Sequence, residues 1–235
     1  MNRTFVSVTS AAGTHSPNRH HGGAVVTRVA ALIYAIALVA GLTGCSFLKP
    51  AESTARYFIL KPLPATETGS AASNSLAVGF GQVKLPAYLL ETALAVSKGT
   101  NEIEYLSSAF WAERLDTGFQ RVLAADLAAA LPTEQVRVSS WQTEDVAAEL
   151  HVTVEQFDVD AKGQGVLIAQ WRILSPGGEK ILKAGSSRLS RQGPPPDTNA
   201  SGAVATLSEL VADLSRHLAQ ALQETASRQA APISK

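Results

Sequence analysis

Leu150-His151-Val152-Thr153-Val154-Glu155 alternates apolar and polar residues, and the turns that follow this stretch decide the fold. Period-two alternation is the mark of a half-buried strand. The strand extends over Ala147–Val159 and ends at Gly163-Gln164-Gly165. Val166–Leu174 follows as a continuous apolar run, which predicts a strand buried on both faces. Ser175-Pro176-Gly177-Gly178 turns the chain again into a strand over Glu179–Ser190. Turns this tight join only antiparallel neighbours, so residues 147–190 read as an antiparallel meander.

Outward from the meander, two stretches have helical period. In Phe110–Leu131, the residues Leu115, Phe119, Val122, Leu123, Leu127 and Leu131 recur at steps of three and four, and Pro132 ends the run. Glu113, Arg114, Asp116, Gln120, Arg121 and Asp126 take its other positions. In Ala203–Ser227 the apolar face is Val204, Leu207, Leu210, Val211, Leu214, Leu218 and Leu222. Pro194-Pro195-Pro196 precedes it as a stiff linker, and Asp197, Thr198, Asn199 and Ser201 offer helix caps. Residues 226–235 read as a fraying end.

The N-terminal half adds strands over Arg56–Leu60, stopped by Pro62 and Pro64, and over Leu76–Val83. Pro86 suits the start of a single helical turn. Thr92–Ser97 and Glu102–Leu106 flank Lys98-Gly99-Thr100-Asn101 as a hairpin, and Gln135–Ser139 is a further strand. Two amphipathic helices need an apolar surface, and a sheet presents one. The expected fold is α+β, sandwich-like, with a mixed, mostly antiparallel sheet and two long amphipathic helices packed on it.

Ahead of this domain lies a targeting segment. Arg28 precedes the apolar stretch Val29–Ala40, too short to span a bilayer but suited to a signal-peptide core. Leu42-Thr43-Gly44-Cys45 follows and holds the chain's single cysteine. This order resembles the lipobox of bacterial lipoproteins: an aliphatic residue, two small ones, then Cys. The resemblance implies a diacylglyceryl thioether on Cys45, cleavage before it, and an N-acyl chain on its new amino group. Two or more acyl chains give stable anchoring where one does not. Ser46 resembles the outer-membrane-directed class of sorting residue. Residues 1–44 then form the signal peptide with a long n-region, 45–55 a lipidated tether, 56–228 one domain, and 229–235 a tail.

Removing residues 1–44 takes Arg3, Arg19 and Arg28 from the 20 Lys and Arg and nothing from the 20 Asp and Glu, leaving a formal charge of −3. That balance gives no electrostatic footprint for nucleic acid. With its sole cysteine lipidated, the mature chain has neither a disulfide nor a thiolate metal site. His15, His20 and His21 are discarded with the leader. His151 and His217 remain, the first on an alternating strand position and the second on the polar side of the last helix. Asp158 and Asp160 share a strand face and read as a solvated pair beside a turn. No G-x-S-x-G elbow, H-E-x-x-H pair or phosphate-cradling G-x-x-x-x-G-K-S/T loop occurs. The expectation is a protein that is not an enzyme, with no cofactor and no metal. A lipid-anchored hydrolase would require one of the two poorly placed histidines. Trp111, Trp141 and Trp171 read as core anchors or as walls of a lipid or partner groove, with Tyr88 beside them as a partner or core aromatic.

Several pieces together resemble the ABC-type transport auxiliary lipoprotein family, the PqiC-like lipoproteins. They are Leu42–Cys45, Tyr57-Phe58-Ile59-Leu60-Lys61-Pro62-Leu63, Val83-Lys84-Leu85-Pro86-Ala87-Tyr88-Leu89, Phe110-Trp111-Ala112-Glu113-Arg114-Leu115, Phe119–Leu127 and Val154-Glu155-Gln156-Phe157-Asp158. The resemblance spans the mature chain. It implies a non-catalytic lipoprotein on the periplasmic side of the outer membrane. Its implied partners are an Mce-domain protein and an ABC permease and ATPase, in lipid or hydrophobic solute transport. A homo-oligomer is compatible with that reading. The alternative is a structural or assembly lipoprotein of the envelope with a protein-binding domain unrelated to transport.

Overall fold

The computed structural model describes residues 28, 54–64, 77–131, 136–138 and 141–230. Among its described residues, the unit beginning at Thr54 has an eight-stranded mixed sheet and two α-helices. The strands are β1 (Arg56–Phe58), β2 (Val78–Phe80), β3 (Ala93–Lys98), β4 (Glu102–Trp111), β5 (Val136–Val138), β6 (Ala148–Asp160), β7 (Gln164–Leu174) and β8 (Ile181–Gln192). The helices are α1 (Leu115–Ala130) and α2 (Ala200–Ala230).

Strand β6 is the spine. The meander β6-β7-β8 forms as its turns require, in two long antiparallel ladders running from Glu149↔Leu174 to Val159↔Gly165 and from Gln164↔Gln192 to Leu174↔Ile181. Gly163 closes the first turn at φ 87, a backbone conformation that favours glycine. The other edge of β6 is shared. Its first residues pair in parallel with β2, Val78↔Ala148 to Phe80↔Leu150, and its last with β3, Val96↔Val159 and Ser97↔Asp160. Beyond β2 lies β5; beyond β3 lie β4 and then β1. The parallel pairings are short, and the extended ladders are antiparallel.

Helices α1 and α2 contribute the apolar faces that the periodicity marks: Leu115, Phe119, Val122, Leu123 and Leu127 on one, and Leu207, Leu210, Val211, Leu214, Leu218 and Leu222 on the other, all buried. They meet Leu150, Val152, Val154 and Phe157 of β6, and Leu167, Ala169, Trp171 and Ile173 of β7, in one core. Phe119 packs edge-on against Phe157, with ring centroids 5.0 Å apart and planes at 89°. Asn199 caps α2 through Oδ1, which accepts the Gly202 N–H at 2.9 Å.

The structure corrects four local expectations. Phe110 and Trp111 end β4, and α1 begins only at Leu115; an aromatic pair before a helix satisfies strand and helix patterns alike. Helix α2 runs longer at both ends than Ala203–Ser227. Strand β7 is not buried on both faces. Gly165, Leu167, Ala169, Trp171 and Ile173 face the helices, while Gln164, Gln170 and Arg172 on the opposite face are exposed. Finally, alternation along β6 breaks at a bulge between Val154 and Gln156. Glu155 and Gln156 therefore both lie on the face away from the helices, and Phe157 and Val159 return to the core.

Trp171 sets a tight tolerance in this core. Its Nε1 donates to Ser187 Oγ at 3.2 Å, and its ring lies over Gly185 so closely that a Cβ there would fall 2.5 Å from Cζ2. Gly185→Ala should therefore lower stability by about 1–3 kcal/mol, the usual cost of overpacking. A shift in the urea midpoint checks this; an unchanged midpoint would show that the indole moves aside freely.

Candidate functional site

Past β1 the chain leaves the sheet edge and crosses the helices as a strap, Ile59–Pro64. Three polar contacts fix its backbone. Arg121 of α1 donates through a guanidinium nitrogen to the Leu60 carbonyl at 3.0 Å. Ser208 Oγ of α2 accepts the Lys61 N–H at 3.3 Å. Asp126 Oδ1 of α1 accepts the Leu63 N–H at 3.0 Å. Glu113 holds Arg121 in place from the other side, and the Ala112 N–H donates to the Phe58 carbonyl at 2.8 Å. Leu60 is the strap's buried side chain.

Between the strap and the first half of α2 runs a groove of about 500 Å³. Tyr57, Ile59 and Leu63 form one wall, and Val204 and Ala205 lie on the helix side. These three strap-side residues are exposed for their size, at 68%, 40% and 41%. Tyr57 also packs on Phe110, with ring centroids 5.7 Å apart. Lys61, Ser201, Ser208 and Glu209 make the polar rim. Glu209 is paired with Arg191, which also holds Asp213.

Asp126 is the unusual residue of the strap. The helix pattern places it among the polar positions, yet it is 7% exposed, and its Oδ2 has no hydrogen-bond partner among the described residues. Burial pushes its carboxyl up to about 6; the Leu63 N–H and the Arg216 charge oppose that shift. Sequence reasoning missed Asp126 because its partner is a backbone group in a loop 63 residues away.

A second polar cluster lies on the opposite sheet face. Asp158 is buried there, which corrects its reading as a solvated carboxylate. Its Oδ2 accepts the Tyr88 hydroxyl at 2.9 Å, and its Oδ1 accepts Ser97 Oγ at 2.7 Å and Gln156 Nε2 at 3.1 Å. Tyr88 stands on a 3-10 turn, Ala87–Leu90, opened by Pro86 as expected. Burial and then the Asp158 charge push the Tyr88 hydroxyl well above its ordinary range, so it stays a proton donor. The Tyr88 carbonyl accepts the Tyr105 hydroxyl at 2.9 Å. Asp160, on the same strand face, instead caps the β6–β7 turn by accepting the Lys162 and Gln164 N–H groups. With three donors on Asp158, the arrangement locks β3, β6 and the 3-10 turn together.

The remaining candidates are placed as follows. Trp111 and Trp171 are buried, and Trp141 is half-buried against Gly79; none of the three lines the groove. His151 is partly exposed beside Glu149, 3.5 Å away. Among the described residues no three His, Cys, Asp or Glu side chains gather as a metal-binding group. Leu42, Thr43, Gly44, Cys45 and Ser46 lie outside the described residues.

Asp126 gives a pH signature with a definite sign. A carboxyl whose pKa is raised by folding favours the native state while protonated. Its contribution is therefore complete below about 4 and is lost as pH rises through about 6. A shift of two units corresponds to at most about 3 kcal/mol. Asp126→Asn keeps an acceptor for the Leu63 N–H and abolishes the titration. The urea stability of the wild type, relative to this variant, should fall from about pH 4 and level off above about pH 6. Parallel pH profiles would refute the assignment.

The chain is also similar to other proteins over most of this domain. The model of the ABC-type transport auxiliary lipoprotein component family matches residues 58–219. Among solved structures, protein XCC0632 from Xanthomonas campestris superposes with a TM-score of 0.59 at 12% identity, covering 74% of this chain and 98% of that one. An uncharacterized protein superposes at 0.56 with 20% identity, over 71% and 97%. A minor lipoprotein from Acinetobacter baumannii aligns over 64% and 94% at 14% identity, with a TM-score of 0.34. Among curated proteins no sequence match is found. The two higher scores show a shared fold, and the family match covers more than half of the sequence: the chain belongs to the ABC-type transport auxiliary lipoprotein component family.

Proposed function

We propose that the mature chain is a non-catalytic accessory lipoprotein of an ABC and Mce-type system moving lipid or another hydrophobic solute across the envelope. In this reading Cys45 carries the diacylglyceryl and N-acyl chains, and Ser46 directs the protein to the outer membrane, facing the periplasm. The observation that carries the proposal is the family match over residues 58–219. The use of the polar groups at these two clusters supports it. Arg121, Ser208 and Asp126 are spent on the strap backbone, and Tyr88, Ser97 and Gln156 on Asp158. A domain built this way offers surfaces and a groove to partners.

Two measurements test the two halves. Cys45→Ala should yield an unprocessed, unlipidated chain that no longer partitions with outer-membrane vesicles; retention after high-salt and carbonate washing would refute lipid anchoring. Affinity purification of the lipidated protein from detergent-solubilised envelopes should recover an Mce-domain protein with ABC permease or ATPase subunits. Recovery of neither, with the protein intact and membrane-bound, would favour the assembly-factor alternative.

A further inference from the structure

The groove and the tether bear on one another. Eight residues separate Cys45 from Thr54, where the described domain begins, and a fully extended chain of that length spans only about 30 Å. Tyr57 follows three residues later. A compact domain of some 180 residues has a radius of gyration of about 16 Å, so the tether is shorter than the domain is wide. If Cys45 is lipidated as proposed above, the strap side of the domain is held against the bilayer.

That side is chemically suited to the position. Tyr57, Ile59 and Leu63 are exposed and converge on one groove. A tyrosine favours the membrane interface, where its ring is buried and its hydroxyl is wet. Lys61 stands on the groove rim; a long cationic side chain lies along apolar surface and reaches anionic headgroups. The one acid on the rim, Glu209, is already paired with Arg191. Ile181 is similarly exposed, at 55%, but stands at the start of β8, away from the groove-lining residues.

We propose that Tyr57, Ile59 and Leu63 seat in the headgroup region of the same bilayer that holds the acyl chains of Cys45. The lipid anchor thus docks the domain in one orientation. This inference rests on the lipidation of Cys45, and its test separates the two. Because Cys45 is the chain's single cysteine and is consumed by lipidation, Tyr57→Cys, Ile59→Cys, Leu63→Cys and Ile181→Cys each provide one free thiol for a nitroxide label. The lipidated variants, checked for native circular dichroism, are reconstituted in phosphatidylethanolamine–phosphatidylglycerol vesicles and floated. Collisions with oxygen and with a water-soluble nickel chelate then report depth.

Flotation with labels at 57, 59 and 63 several-fold more accessible to oxygen than to nickel, and the reverse at 181, is the expected result. Flotation with all four labels equally open to nickel overturns the seating and leaves the anchor standing. Dipolar broadening at 59, relieved by dilution with unlabelled protein, assigns the face to a second copy of the chain and also overturns it. Protection of 57, 59 and 63 from both reagents without vesicles would mean that the groove is closed by the chain itself, with the same consequence. Failure to float removes the anchor and the seating together.

Discussion

The bulge between Val154 and Gln156 is the constraint on which the rest of the sheet depends. Side chains along a strand alternate strictly, so an unbroken β6 carrying Leu150, Val152 and Val154 into the core would turn Asp158 toward the helices and Phe157 and Val159 away from them. One extra residue reverses that phase. Phe157 then reaches Phe119 of α1, and Asp158 is placed on the other face, where Tyr88, Ser97 and Gln156 satisfy it. A charge buried on the helix side without such donors would cost several kcal/mol. The bulge also divides the shared edge of β6, with β2 before it and β3 beyond it.

The polar contacts extend the same logic between distant parts of the chain. Tyr88, from the stretch around Pro86, meets Asp158, from the stretch around Phe157. Arg121, held by Glu113 of a further stretch, donates to the carbonyl of Leu60 in a third. Short sequences far apart in the chain are thus parts that touch one another. Such contacts hold irregular segments that neither helix nor ladder bonds can hold. Where the partner is a backbone group, as at Leu60, Lys61 and Leu63, the bond spares the interior an unpaired group that would cost about 1–3 kcal/mol. Their loss would loosen the strap and the 3-10 turn before it disturbed the apolar core.

The meander, both amphipathic helices, the Pro86 turn and the hairpin around Gly99 were legible in sequence because each is specified by local period or turn chemistry. What could not be read depends on long-range geometry. Alternation stays visible up to Glu155, but nothing in Glu155-Gln156 announces that both will share a face. Phe110-Trp111 fits a strand end and a helix start equally well until Ala109, Phe110 and Trp111 are seen in register with β1. Asp126 resembles any polar helix residue until the Leu63 N–H arrives beneath it. The groove was hidden for a related reason. Pro62 and Pro64 mark a strand's end, and only tertiary packing turns the residues around them into a wall facing α2.

The position of the strap matters mechanically as well as chemically. Strand β1 is the outermost strand on its side of the sheet, with a three-residue parallel pairing to β4. By itself such an edge is weak, because an isolated pairing this short is marginal in water. In the tethered chain proposed above, β1 is the first described strand to receive any pull from the membrane. Load entering there passes within a few residues to Leu60, Lys61 and Leu63, and from them through Arg121, Ser208 and Asp126 into both helices. Both helices are bound to the sheet through the shared apolar core. The strap therefore converts a fragile edge into a joint anchored on α1 and α2. That explains why a carboxylate as costly as Asp126 is buried there: its bond to Leu63 holds the end of the joint where no ladder partner is available.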